Sequence, residues 1–140
     1  MGTKAVNLST DTLTVGLIAS GTFAWGPTPE AYTYVHQFLL GDGTNGPLTE
    51  VVGGNYSRQN LTGVSFAASG EIITLTANSP SWPSATFSTV YGFLYDSTVG
   101  SGDTTHPIIL YFDFGGAQPV TGITFTLNVP ASGLLSWTAS

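Results

Sequence analysis

The sequence has no cysteine and almost no positive charge. Lys4 and Arg58 are its only lysine and arginine residues, against eight acidic residues, and the formal net charge is −6. Nucleic-acid binding depends on cations that neutralise successive phosphates, so two isolated cations argue against nucleic acids and anionic membrane surfaces as partners. Without cysteine the chain forms no disulfide, no zinc–thiolate site and no thiol nucleophile.

Long apolar runs are also missing. Residues 1–9 contain one lysine and no apolar core of a signal peptide, and runs such as residues 38–40 are far shorter than the roughly 20 residues of a membrane helix. We expect a soluble chain without a cleaved signal. Its length suits a single domain over residues 1–140, in which residues 1–9 form an N-terminal arm.

Serine and threonine make up about a quarter of the chain, and with 18 glycines and 8 prolines they favour strands and turns over helices. Apolar residues alternate with polar ones over residues 13–17 and 123–129, which is typical of half-buried strands. Further strands are predicted at residues 32–40, 60–67, 71–77, 86–95, 107–114 and 134–137. Short strands at this spacing predict an all-β fold, an antiparallel β-sandwich of about eight to ten strands with Ig-like or jelly-roll-like topology.

One predicted strand differs from the others because it is apolar on both faces. Residues 108–112 read Ile-Ile-Leu-Tyr-Phe without alternation. Such a run indicates either a central strand buried on two sides or a strand covered by a neighbouring subunit.

The sequence carries no recognisable catalytic motif, and we expect no enzyme, cofactor or metal. His36 falls in a predicted strand, where a structural or interface role is expected, and His106 falls in a loop that we expect to be exposed. Residues 41–46 together with Glu50 offer oxygen ligands, but they lack the acidic spacing of an EF-hand and favour a plain turn.

Three tryptophans are candidates for contact with a partner. Trp25 and Trp82 lie in segments rich in glycine or proline, and Trp137 lies near the C-terminus. Exposed rings of this kind can stack on sugars, whereas aromatic residues of a β-sandwich more often fill the core or an interface. We name Trp25, Trp82 and Trp137 as partner contacts, together with Lys4 of the arm.

Arg58 is expected to form a structural ion pair. Because it is one of only two cations, any carboxylate within reach is a favoured partner, and the guanidinium group can bind that carboxylate through two parallel hydrogen bonds. Glu50 and Asp96 are the predicted partners.

Residues 50–59, Glu-Val-Val-Gly-Gly-Asn-Tyr-Ser-Arg-Gln, resemble a stretch found in a family of small structural proteins of tailed-bacteriophage virions. In that family the stretch precedes a tryptophan-containing loop and then a strand similar to residues 89–96. An apolar strand like residues 108–112 and a glycine-led alternating strand like residues 122–129 follow. The order and spacing agree over about the last hundred residues. The family usually begins with a charged, helix-like segment, whereas residues 1–19 here predict strands.

This resemblance implies a virion component. We expect a capsid decoration protein, made in the cytoplasm of the bacterial host and located on the capsid surface. Its expected partners are the major capsid protein and copies of itself, as a homo-oligomer and most plausibly a trimer. The alternative is a minor tail or fibre-associated protein that binds host glycans through Trp82. A third reading, a glycan-active enzyme, would use Asp96 and Asp113 as paired carboxylates.

Overall fold

The computed structural model describes residues 7–20, 33–35, 39 and 48–138, with side chains described up to Leu134. Within these residues the chain is mostly β-structure, arranged as two antiparallel sheets that are not closed. The seven strands are β1 (Leu13–Ala19), β2 (Gln59–Asn60), β3 (Ser65–Ser69), β4 (Ile72–Thr76), β5 (Ser81–Asp96), β6 (Ile108–Thr126) and β7 (Leu135–Thr138).

The larger sheet has the order β2-β1-β5-β6. β1 lies in its interior and pairs with β5 in a register that places Gly16 opposite Phe93. A Cβ atom on Gly16 would lie 2.2 Å from the Phe93 ring, so the glycine makes room for that ring. Alternation predicted β1 correctly, but Thr14 is also buried, because both faces of this strand are covered.

Two predicted strands, residues 107–114 and 123–129, are largely joined in the single 19-residue strand β6. Pairing with β5 passes from Tyr91↔Asp113 to Thr89↔Gln118, so β6 bulges between these two pairs. Gly115 has a φ of 75°, which lets the backbone make this excursion without ending the strand. Merging is one reason why seven strands are described where eight to ten were expected.

The smaller sheet has the order β3-β4-β7. Gly70, with a φ of 62°, lies between β3 and β4, which form a hairpin. The predicted strand at residues 60–67 is divided between β2 and β3. The predictions for residues 71–77 and 134–137 are confirmed by β4 and β7 within one or two residues.

The predicted strand at residues 32–40 is wrong where the structure describes it. Tyr34 forms an isolated bridge with Pro107, but Val35 and Leu39 have helical backbone. Both side chains are buried against Ile18, Phe93 and Tyr95 on one face of the larger sheet. Their spacing of four residues suits one face of a helix.

Buried clusters cover both faces of β1 and β5. On one face Leu13, Val15 and Leu17 pack with Leu75 of the smaller sheet and with Trp82. On the other face Ile18, Phe93 and Tyr95 pack with Val35, Leu39 and Leu48. No helix among the described residues has the length and hydropathy that a membrane crossing requires.

The loop at residues 52–56 depends on backbone that only glycine adopts without strain. Gly53 and Gly54 both have positive φ, but a Cβ atom would meet nothing within 4 Å at Gly53 and would lie 1.9 Å from the Thr86 carbonyl oxygen at Gly54. The Gly54 carbonyl oxygen also accepts a hydrogen bond of 3.0 Å from the Thr86 N–H, so the two backbones touch.

We therefore expect Gly54→Ala to destabilise the fold more than Gly53→Ala does. Gly53→Ala should cost about 1 kcal/mol, the strain of left-handed backbone, and Gly54→Ala about 3 kcal/mol, because the loop must also move away from β5. Urea unfolding of both variants measures the difference. Equal losses would show that the contact with Thr86 has no energetic weight.

Candidate functional site

The segment from Glu50 to Arg58 reverses direction over one short loop. Glu50 is bridged to Ile18 of β1, and the Val51 N–H donates to the Leu17 carbonyl oxygen at 3.0 Å. Left-handed backbone at residues 53–55 then turns the chain back, and a hydrogen bond of 3.0 Å from the Tyr56 N–H to the Gly53 carbonyl oxygen closes the turn. Arg58 thus lies beside Glu50, immediately before β2.

Arg58 uses all five of its N–H donors. Nε and Nη2 each donate to one carboxylate oxygen of Glu50 at 2.8 Å. Nη1 and Nη2 donate to the two carboxylate oxygens of Asp103 at 2.7 and 2.8 Å, and Nη1 also donates to the Tyr95 hydroxyl at 3.1 Å. Two bidentate ion pairs share one guanidinium group, the strongest pairing geometry that arginine offers. We call Glu50, Arg58, Tyr95 and Asp103 the Arg58 clamp.

Aromatic rings of β5 pack against the guanidinium group. The Arg58 Cζ atom lies 5.6 Å from the Phe93 ring centre and 5.2 Å from the Tyr95 ring centre. Tyr95 is stacked in turn on His106 at 5.4 Å. These contacts limit access of water to the ion pairs, and the Arg58 side chain retains 23% of its exposure.

The contacts of the Arg58 clamp raise the pKa values of Arg58 and of the neighbouring Tyr56. Burial lowers the pKa of Arg58, but the hydrogen bonds to Asp103 and Glu50 outweigh it and raise this pKa above its ordinary value. Burial and the Glu50 carboxylate raise the pKa of Tyr56. The Tyr56 hydroxyl therefore stays protonated, donates to Glu50 Oε1 at 2.7 Å and accepts from the Leu17 N–H at 2.9 Å.

Asp103 is the partner that sequence reasoning missed. It lies 45 residues from Arg58, in the loop between β5 and β6, and hydrogen bonds from Arg58 lower its pKa although partial burial opposes the shift. Residues 100–103, Gly-Ser-Gly-Asp, are typical of a turn, but no local pattern indicates which distant side chain a turn residue meets.

His106 is not the exposed loop residue that we expected. Its side chain is only 13% exposed, and Nε2 accepts a hydrogen bond of 3.1 Å from the Gly102 N–H. The neutral ring therefore carries its hydrogen on Nδ1, which faces Asp103 Oδ1 at 3.8 Å. His106 therefore packs between Tyr95 and Asp103, two members of the Arg58 clamp.

The predicted pair of Arg58 with Glu50 is confirmed, and the pair with Asp96 is wrong. Asp96 follows Tyr95 in β5, and successive side chains of a strand point to opposite faces, so Tyr95 faces Arg58 while Asp96 faces away. Asp96 Oδ1 instead accepts hydrogen bonds from the Thr98 and Val99 N–H groups at 2.8 and 3.2 Å. Burial raises the pKa of Asp96, and the Asp11 side chain raises it further.

Trp82 is not available to a partner. It lies in β5 rather than in a loop, its side chain is 0% exposed, and its Nε1 donates to the Ser57 carbonyl oxygen at 2.6 Å. Its ring lies 6.3 Å from the Tyr56 ring and 5.8 Å from the Phe125 ring. The core interpretation therefore holds, and the sugar-stacking interpretation is wrong for this residue. Flanking prolines suggested a loop, but Pro80 precedes β5, and Pro83 lies within it next to a bulge at Ser84, whose φ is 50°.

The other predicted contacts fall outside what the structure describes. Lys4, Trp25, His36 and the turn at residues 41–46 lie outside the described residues. Trp137 belongs to β7, but its side chain is not described. The roles proposed for these residues therefore stay predictions.

The Arg58 clamp holds chain segments together and leaves no guanidinium donor free for a substrate. Paired carboxylates for glycan hydrolysis are not formed by Asp96 and Asp113 either. Asp113 pairs with Tyr91, five residues from Asp96 along β5, a distance of about 16 Å, whereas glycosidase carboxylates are about 5–10 Å apart. Within the described residues no group of three or more histidine, aspartate or glutamate side chains is placed to hold a metal ion.

No protein family model, curated protein or solved structure matches this chain. Its function is therefore inferred from its own residues.

We expect Arg58→Met to destabilise the chain by about 2 kcal/mol, because two partly buried carboxylates lose their counter-charge. Arg58→Lys keeps the charge but not the two forks, and should fall between Arg58→Met and wild type. Urea unfolding at pH 7 gives the order. Two glutamate variants provide a matched comparison. Glu50→Gln removes a charge from the clamp and should destabilise the chain, whereas Glu71→Gln removes one from an exposed glutamate next to β4 and should change the free energy of unfolding by no more than about 0.5 kcal/mol. Wild-type stability of Arg58→Met would mean that the clamp does not stabilise the fold.

Asp96 and Asp103 should affect stability with opposite signs at neutral pH. The pKa of Asp103 is lowered in the folded chain, so its contribution is present above the unfolded pKa of about 4 and is lost as the pH falls. The pKa of Asp96 is raised, so its contribution is present below about pH 4 and is lost as the pH rises through the folded pKa. Unfolding free energies from pH 3 to pH 8 in metal-free buffer should find Asp103→Asn less stable and Asp96→Asn more stable than wild type at pH 7. Both differences should shrink towards pH 3, and two differences of the same sign at pH 7 would contradict this assignment.

Proposed function

We propose that this chain is a bacteriophage virion structural protein, a β-sandwich that decorates the capsid and stabilises the head lattice through repeated protein contacts. Its partners are the major capsid protein and further copies of itself, most plausibly in a trimer. The resemblance of residues 50–59 and of the segments that follow them supports a virion role. Three features of the described residues favour contacts with other proteins.

The observation that carries the proposal is the position of β6. This 19-residue strand lies at the edge of the larger sheet, and beyond Ile108 it has no second neighbouring strand among the described residues. Asp113 is its only charged residue. Edge strands of free proteins are commonly protected by charges, prolines or bulges. β6 has a bulge and Pro119 near its middle but only one charge over 19 residues, which suits a strand that another subunit covers. Residues 108–112 are half-buried and pack against both buried clusters, which accounts for apolar side chains on both faces of this strand. Cover of its edge beyond Ile108 by a neighbouring subunit is part of the proposal.

Half-buried aromatic residues continue this surface. Phe114 and Phe125 of β6 are partly exposed and lie 6.1 Å apart, and together with Gln118 they line an open groove of about 310 Å³. Ile123, also in β6, is 57% exposed. Apolar surface next to an open strand edge is typical of protein interfaces.

The charges of the described residues are mostly turned towards one another. Glu50, Arg58 and Asp103 form the Arg58 clamp, and Asp96 is buried next to Asp11. Glu71 and Asp113 are the carboxylates that remain on the open surface of the described part. Such a surface offers little charge repulsion to a neighbour and suits weak contacts that symmetry multiplies around a lattice.

The tail or fibre alternative loses the ring that was to stack on glycans, because Trp82 is buried.

Imaging of virions that carry a labelled copy of this chain tests whether the chain lies on the head or on the tail. Label on the head surface at regular lattice positions is the expected result, and label confined to the tail would refute a decoration role.

Binding to heads made without this chain tests β6 directly. We expect Ile123→Asp to weaken binding at least tenfold, because the new carboxylate would be buried at the interface without a partner. Val52→Asp is the matched control, since Val52 is an 88% exposed aliphatic residue in the loop at residues 52–56 rather than on β6. Circular dichroism confirms that both variants fold, and occupancy is read by sedimentation with heads. Equal binding by both variants would exclude the β6 surface.

A further inference from the structure

The loop between β5 and β6 contains a turn at residues 100–105 that is fastened to a histidine ring. The Gly102 carbonyl oxygen accepts hydrogen bonds of 3.0 Å from the Thr105 and His106 N–H groups, and the Ser101 N–H donates to Thr105 Oγ1 at 2.8 Å. The Gly102 N–H donates instead to Nε2 of the His106 ring at 3.1 Å. One hydrogen bond of this turn therefore depends on the protonation state of a side chain.

The His106 ring is held on its other sides as well. It is stacked on Tyr95 of β5, and the side chain is only 13% exposed. Its Nδ1 atom is buried and lies 3.8 Å from Asp103 Oδ1. The His106 carbonyl oxygen accepts a hydrogen bond of 3.1 Å from the Val35 N–H, which fixes the backbone from which the ring projects.

Four titratable or charged groups surround the ring in the described part of the chain. They are Asp103 in the same loop, Arg58 bound to Asp103, Tyr95 on β5 and Tyr34 in the segment at residues 33–35. Hydrogen bonds from Arg58 lower the pKa of Asp103, and although burial opposes it, hydrogen bonds to Asp103 and Glu50 raise the pKa of Arg58. Histidine ordinarily changes charge between pH 5 and pH 8, a range in which Asp103 and Arg58 keep their charges.

Protonation of the ring is incompatible with its hydrogen bond to Gly102. The neutral ring carries its hydrogen on Nδ1, so a proton taken from solvent adds at Nε2, and both ring nitrogens are then donors. The new Nε2–H faces the Gly102 N–H, and the bond is lost. The positive ring is still attracted to the Asp103 carboxylate on its other side, so the turn moves rather than the ring.

We propose that His106 is a pH-sensitive latch for the turn at residues 100–105. The neutral ring holds the turn through the Gly102 N–H, and protonation at Nε2 releases it while the Arg58 clamp stays closed. Mild acid thereby changes the loop that leads into β6 without opening the larger sheet. This latch is independent of the proposed role in a virion.

Nuclear magnetic resonance of the full ¹⁵N-labelled chain at pH 7.5 and pH 5.0 tests the latch. At pH 7.5 the ring shifts should show hydrogen on Nδ1 only, and at pH 5.0 on both nitrogens. The order parameter of the Gly102 N–H should fall from about 0.85 to below about 0.6, whereas the Arg58 Nε–H shift should stay unchanged. A ring that remains neutral at pH 5.0, or a protonated ring with Gly102 still ordered, would overturn the proposal.

Two variants identify the group that responds to pH. His106→Gln offers an amide oxygen that accepts from the Gly102 N–H and does not titrate, so the order parameter of Gly102 should be equal at both pH values. This variant keeps His36 and Asp96, and the same fall in it would assign the response to another group. Asp96→Asn removes a buried carboxylate whose pKa burial raises, and it should retain the full fall. Loss of the fall in Asp96→Asn contradicts the latch even if His106→Gln does not fold.

Discussion

The guanidinium group of Arg58 joins four separate parts of the chain through one set of ion pairs and hydrogen bonds. It binds Glu50 from the segment paired with β1, Tyr95 from β5 and Asp103 from the loop before β6, at separations of 8, 37 and 45 residues. Because Arg58 is the only lysine or arginine among the described residues, these acceptors have no competing lysine or arginine there. Replacing a partly buried ion pair by apolar groups often costs little, so its main effect here is to fix which segments meet. It sets where the Asp103 loop lies and therefore where β6 begins.

The two-sided burial of β1 and β5 explains how a chain with few charges gains a core. Leu13 and Leu94 face the smaller sheet, whereas Ile18 and Phe93 face the segments before and after the undescribed stretch at residues 40–47. Gly16 is required between them because the Phe93 ring occupies the place of its side chain. The same sheet leaves β6 at its edge, since the segment at residues 33–35 reaches only the start of that strand. The interior strand β1 and the second half of β5 are thus the most buried parts of this sheet, and the edge strand β6 is more exposed.

Sequence reasoning succeeded where the signal is local. Alternation identified β1 and the last four residues of β6, the strand predicted at residues 71–77 matches β4, and the scarcity of cations identified Arg58 as the centre of an ion pair with Glu50, eight residues away. It failed where distant contacts decide. Asp103 is brought to Arg58 by a loop whose course depends on β5 and β6, and residues 108–112 are apolar although their strand lies at an edge. Asp96 was assigned to Arg58 wrongly because alternation places Tyr95 and Asp96 on opposite faces of β5 but does not say which face meets Arg58.

The scarcity of charge has a further consequence for the surface. A chain with a net charge of −6 would normally present many carboxylates to solvent, yet most of those described are bound to Arg58 or turned inward at the Asp11–Asp96 pair. The other exposed residues of the described part are mainly threonine, serine, glycine and partly exposed aromatic residues, which neither repel a neighbouring protein nor select one by charge. Within the described residues, β6 has an edge without a second neighbouring strand beyond Ile108 and a groove of mixed polarity beside it. Among the described residues, the pairing of Glu50 and Asp103 with Arg58 and the burial of Asp96 leave Glu71 and Asp113 as the exposed charged groups.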